Sequence, residues 1–454
     1  MGVIANKRLG LIKGLVKTLP QTSLRSLEMA LGLTKDEALV EVRNLVSLEL
    51  EFRHVKQAVF APYLPLLEAR PDGLTGITFP AWLLDNIWSA LEVREPELYM
   101  QSRYALRGLR TEDPTPVVFF RLVTAAAQIC RENPHDILPA KPDAADGEAV
   151  TEFALYLDLH RIARAMLARL PDFLGRIDAD RATALRLMFK DACANDSEGG
   201  YRLLEILFAN LEDGPQIVKF VATVSDRASE RFLAASELAV FGERILAVAE
   251  ERLLDLKTFM GARGKVCDDL GIAGQKVSDC LALIHSFENY IELQRDGPWG
   301  KRLAAGHKLI AELVESQLKG AERALEDALP MKSERVYGRV RKETPHLDRF
   351  PKPEAIVRAV QTLAFVKTVR NVAHAGGFAS LHTKTAQALE SALDSYFEEL
   401  LSIANGDEPV DPEVVMSFFE LVTDLMQALC GEEKAAVGRR RIASSDLLKP
   451  KNVA

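Results

Sequence analysis

Apolar residues along this chain recur at steps of three and four, the period of an amphipathic helix rather than of a strand. The clearest stretch is 226–259. Phe232, Leu233, Leu238, Phe241, Ile245, Val248, Leu253, Leu256 and Phe259 form its stripe, and Glu230, Arg231, Glu243, Arg244, Glu250 and Glu251 alternate with them. Residues 308–329 repeat the pattern through Leu309, Ile310, Leu313, Leu318 and Leu325. Further helices are predicted at 35–58, 80–92, 147–169, 179–194, 200–211, 270–294, 354–374, 384–404 and 411–430. Start signals agree: Pro80 opens one segment, Thr34 precedes the acidic turn Asp36–Glu37, and Asp411-Pro412-Glu413 begins another. Val117–Phe120 is prone to strand but lies inside a helical pattern. The expectation is an all-α protein, built as multi-helix bundles or an irregular helical array with long amphipathic helices.

Two stretches lose the period. Residues 132–148 carry three prolines, and 331–353 are polar, proline-punctuated and basic, so both read as linkers. The loop 62–79 is apolar enough to pack. The resulting division is a helical domain 1–131, a central long-helix domain 149–330, a C-terminal bundle 354–435 and a flexible basic tail 436–454. No fixed repeat marks a recognised solenoid.

Composition narrows the picture. The 454 residues are 48% hydrophobic but only 7% aromatic, so Leu, Ala and Val must fill the core. The net charge of −8 argues against a globally basic coat for nucleic acid and leaves room for local patches. Cys130, Cys193, Cys267, Cys280 and Cys430 form no CxxC and fit buried thiols in a reducing compartment. No leader-like apolar run opens the chain and no stretch approaches a membrane span, which predicts a soluble, cytoplasmic protein.

Familiar catalytic patterns are missing. There is no P-loop, no dinucleotide fingerprint, no nucleophile elbow and no HExxH. Of three Glu-x-x-His pairs, two contain Pro134 or Pro345, leaving Glu51 and His54 as the one helical pair; no metal and no cofactor are expected. The local pattern with chemical content is Val369-Arg370-Asn371-Val372-Ala373-His374-Ala375-Gly376-Gly377. Read as helix, it puts Arg370 and His374 on one side. It resembles the Arg-Asn…His motif of HEPN-family ribonucleases, in which Arg and His act on the scissile phosphate within a helical bundle. That family usually spaces the two residues more widely than the three positions between them here. The resemblance implies an RNA-directed nuclease centred on Arg370 and His374. The plainer reading is a helix end with a cation complementing the dipole and Gly376 as cap.

Three basic segments are candidates for anion or partner contact. The first helix carries Lys7, Arg8, Lys13 and Lys17 before any acid and could lie on an anionic membrane surface or simply open the fold. The segment 331–353 offers Arg335, Arg339, Arg341 and Lys342 among others, with Tyr337 and Phe350 interleaved. The tail offers Arg439, Arg440 and Arg441. Ser23–Gly32 and Thr34–Leu48 could form a helix-turn-helix, although Asp36, Glu37 and Glu41 make a poor recognition face. Taken together, the residues point to a non-catalytic helical adaptor or scaffold for other proteins. An RNA-binding or RNA-cleaving protein and a peripheral membrane protein stand as alternatives.

Overall fold

The computed structural model describes residues 6–33, 36–70, 76–110, 113–175, 177–211, 214–236, 238–261, 270–336, 340–406 and 410–444. About 80% of it is helix, and the all-α expectation holds. The chain forms two compact units, Met1–Asp226 and Arg227–Ala454. No helix among the described residues is long and apolar enough to cross a membrane.

The first unit runs α1 (Asn6–Thr18), α2 (Gln21–Gly32), α3 (Glu37–Val59), α4 (Trp82–Arg94), α5 (Pro96–Arg107), α6 (Val117–Glu132), α7 (Ala144–Asp158), α8 (His160–Gly175), α9 (Ala179–Asn195), α10 (Gly199–Asn210) and α11 (Gly214–Val224). Helices α1 to α3 close a small core of Val16, Leu24, Leu31 and Val46, edged by Ile12, Leu19, Leu27, Val42 and Leu50. The main core is aromatic at its centre. Tyr63 and Phe79 meet Phe153 edge-on at 5.8 and 4.9 Å, and Phe79 meets Tyr156 at 5.2 Å. The loop 62–79 packs as its apolar content predicts, with a 3-10 turn at Ala61–Leu67 that buries Pro62, Tyr63 and Leu66.

Residues 132–148 lie inside this unit. Asn86 donates to the Ile137 carbonyl at 2.7 Å, Ile137 is fully buried, and α6 packs against α7 across the segment. Asp143 and Asp146 then form a reciprocal capping box that starts α7. The helix expected over 147–169 breaks at Leu159. Leu157, Leu159 and His160 are all buried at the break.

The second unit contains α12 (Glu230–Leu233), α13 (Ala239–Gly261), α14 (Leu270–Tyr290), α15 (Pro298–Ala328), β1 (Met331–Val336), β2 (Val340–Pro345), α16 (Pro353–Thr368), α17 (Ala379–Ala404), α18 (Pro412–Cys430) and α19 (Glu432–Ala443). The helix expected over 226–259 is two helices, because the start of that segment serves another element. Ser229 pairs with Glu292, and the buried Glu230 carboxylate accepts from the backbone N–H of Gln294 at 2.8 Å and of Trp299 at 2.7 Å. It thereby satisfies one orphan donor at the start of the 31-residue α15 and one in the loop that leads into it. Trp299 lies against Gly242, where a Cβ would come within 2.5 Å of the indole ring.

Half of the segment read as a basic linker is an antiparallel hairpin, with Val336 opposite Val340 and Arg335 opposite Arg341 in register. Its base closes where His346 N–H donates to the Pro330 carbonyl at 2.9 Å. The stretch read as a flexible tail begins with helix: α19 continues to Ala443 and buries Ala435, Gly438 and Ile442. Asp411 caps α18 through its bond from Glu413 N–H, as its sequence predicts.

Candidate functional site

The Arg370–His374 region sits where α16 gives way to α17. Helix α16 stops at Thr368, and Val369–Val372 tightens into a 3-10 turn. Arg370 and His374 therefore do not share an α-helical face, which corrects the expectation of one continuous helix over 354–374. The reversal is fixed by backbone bonds from Gly376 N–H to Val372 O at 2.8 Å and from Phe378 N–H to Ala373 O at 3.1 Å. Gly377, not Gly376, takes the left-handed conformation, with φ of 75°. Gly376 is needed for a different reason: a Cβ there would strike the Phe378 ring at 2.2 Å.

Buried His382 on α17 bonds through Nε2 to the Val366 carbonyl at 2.8 Å. It satisfies a carbonyl near the end of α16 and ties the two helices. On the other side, Gly274 of α14 lets Thr368 approach, since a Cβ there would lie 2.9 Å from that side chain. The turn is thus held from both flanks while Lys367, Arg370, Asn371 and His374 stay exposed.

Two open clefts adjoin these residues. One, of about 870 Å³, is bounded by Lys367, Arg370 and Asn371 with Gln275 of α14 and Asp424 and Gln427 of α18. The other, of about 680 Å³, is bounded by Lys367, Arg370 and His374 with Glu390 of α17 and Glu433 and Lys434 of α19. Lys434 is neutralised by Glu390 at 2.6 Å and Asp394 at 2.8 Å. Among the described residues, Lys367, Arg370 and His374 have no ion pair and no side-chain hydrogen bond. A histidine acting as general base is normally oriented by a second group, and His374 has none here. Cys430 edges the second cleft, and burial pushes its thiol above the usual range.

The other sequence candidates fall elsewhere. Lys13 and Lys17 both reach Glu92 on α4, at 3.4 and 2.5 Å. Lys7 and Arg8 lie on the α1 backbone, and their side chains fall outside the described set. The same holds for Arg335, Arg341 and Lys342 on the hairpin strands, and Arg339 lies outside the described residues altogether. Arg439 bonds Glu432 at 2.6 Å and Gln427 at 2.8 Å, and Arg441 holds Glu398 with two bonds at 2.5 and 2.9 Å. Among the described residues, Arg440 reaches only the Ala436 carbonyl of its own helix.

Glu51, the one helical Glu-x-x-His glutamate, is engaged by Arg103 and Arg107. No group of three or more metal-ligating side chains occurs among the described residues. Cys130 and Cys280 are buried, and burial raises their thiols to about 12 and about 11. Cys193 is exposed, against the expectation of buried thiols, and Cys267 lies outside the described residues.

Sequence reasoning picked out Arg370 and His374 and missed Lys367, which shares both clefts with Arg370. Set against known protein families, curated proteins and solved structures, the chain matches none.

Proposed function

We propose that the chain is a non-catalytic helical adaptor that engages another protein through α1 and α2. The observation that supports this best is a pair of apolar steps left facing solvent. Leu11 and Leu15 of α1 are 76% and 61% exposed; Met29 of α2 and Leu33 just beyond it are 75% and 91% exposed. Each pair is one helical turn apart, and other faces of both helices already fill the Val16–Leu24–Leu31–Val46 core. Apolar anchors at this spacing fit a partner's hydrophobic groove.

The membrane alternative draws on the same helix but has less to use, because Lys13 and Lys17 are spent on Glu92. The nuclease alternative lacks, among the described residues, a group to orient His374. The test is affinity purification of the full chain from its source cell beside a Leu11→Ser, Leu15→Ser variant, with the proteins identified by mass spectrometry. A partner held by the wild type and lost by the variant, at equal melting temperature, is the expected result. Co-purified RNA that disappears with Arg370→Ala, and no such protein, would replace this reading with the nucleic-acid one.

A further inference from the structure

Lys367 in the last turn of α16 and Arg370 in the 3-10 turn that follows stand three positions apart, and both line the 870 Å³ cleft and the 680 Å³ cleft. Neither has a carboxylate partner among the described residues. Their neighbours do: Lys434 is held by Glu390 and Asp394, Arg439 by Glu432 and Arg441 by Glu398. Placement at a helix C-terminus complements the dipole, but it does not account for two unpaired cations shared by two concavities. A guanidinium fork beside an ammonium point charge matches the oxygens of a phosphate, the first by paired bonds and the second by charge.

The rest of the wall defines the ligand's size. Among the described residues, Asn371 has no side-chain partner, and Gln427 accepts from Arg439 through its oxygen while its amide N–H groups remain to donate. Asp424 also lines the first cleft, and Glu390 and Glu433 the second. A nucleic-acid strand would carry successive phosphates past these carboxylates and be repelled. A small molecule with one phosphate puts its charge at the two cations alone. The volumes also lie within the roughly 300–1,000 Å³ of small-molecule sites.

We propose that this double cleft binds a small phosphate monoester, with the phosphate on Lys367 and Arg370 and the remainder against Asn371 and Gln427. The proposal is independent of the adaptor reading. Isothermal titration calorimetry of the full chain with adenosine monophosphate, inorganic phosphate, adenosine and a short single-stranded RNA tests it.

Adenosine monophosphate should bind, inorganic phosphate should compete with it, and adenosine should not bind. A Lys367→Met, Arg370→Met variant should lose affinity by about tenfold or more, and a Lys367→Arg, Arg370→Lys exchange should retain it within a few-fold. Because both side chains are exposed and have no ion pair among the described residues, the exchange variant should keep the melting temperature and the methionine variant should lower it only by the small helix-dipole contribution. A Lys319→Met, Arg323→Met control on α15 should bind as the wild type. Absence of binding at millimolar ligand, equal binding of adenosine, or binding unchanged by the methionine variant each overturns the proposal. RNA binding tighter than adenosine monophosphate and lost in that variant overturns it in favour of a nucleic-acid surface.

Discussion

Glu230 is a buried carboxylate that accepts two backbone N–H groups, from Trp299 at the start of a helix 69 positions later and from Gln294 in the loop before it. Removing it leaves those donors unsatisfied in a dry site, so Glu230→Ala should destabilise the second unit by about 2–3 kcal/mol. Glu230→Gln keeps one acceptor and should recover part of that, as urea unfolding would measure; equal stability of wild type and alanine variant would remove the account. His160 is the opposite case, a buried polar group with nothing to bond. Its ring lies 5.8 Å from Tyr63 and 5.5 Å from Phe120, and both ring nitrogens lack a partner. Burial, then the charges of Arg164 and Arg161, push its pKa down to about 3. Between that value and the ordinary ~6.5 the unfolded chain takes a proton that the folded one refuses, so stability present above pH ~6.5 falls as the pH drops. At pH 5 the loss should reach about 2 kcal/mol, and His160→Phe should abolish it. An identical acid profile for wild type and variant would contradict this assignment. Neither residue was legible in advance. Glu230 reads in sequence as one more charge on a solvated helix face, and His160 as a satisfied core or boundary residue, because a one-dimensional pattern does not say which helix end a side chain will meet or whether a buried ring finds a partner.

At the scale of elements, periodicity located most helices to within a few residues and failed where a segment answers to a distant partner. Helix α12 was fused to α13 because Phe232 and Leu233 keep the spacing, yet Phe232 ends 40% exposed once Glu230 is drawn into the α15 start. The hairpin was read as linker because a basic two-stranded ribbon has no helical period. Helix α19 was read as tail because its stripe is only Ala435, Gly438 and Ile442; Gly438 there packs on Thr423 and Phe397, a contact small residues make without any hydrophobic signal. The first helix was left open between fold element and membrane segment, and its geometry makes a clear prediction. Val16 is buried and Ile12 and Leu19 are partly so, against α2 and α3. Deleting residues 1–19 should therefore cost the first unit about 3 kcal/mol. Liposome co-sedimentation should be the same with and without the segment. Unchanged stability together with lost lipid binding would establish the membrane role instead.

The whole molecule is divided by what each helix needs covered, and prolines are a poor guide to that. The segment 132–148 has three of them, yet Ile137 is fully buried and Arg94 reaches Asp136 at 2.5 Å, so the backbone there has little freedom to enter a protease. Helix α15 buries Leu303, Ile310, Val314, Leu318 and Leu325, and it packs against both α16 and α17 beyond the hairpin. A central fragment 149–330 would strip that stripe bare on one side and separate α6 from α7 on the other. The division the contacts support falls at Asp226 and Arg227, both exposed in a bend between α11 and α12. Limited trypsin digestion should accordingly produce two persistent fragments that meet at Arg227. A nick in the hairpin should leave its pieces associated through α15. Chains 1–226 and 227–454, expressed separately, should each unfold in a single cooperative transition. Persistence of a folded 149–330 fragment, or failure of either half to fold alone, would return the molecule to the three-part division that its prolines suggest.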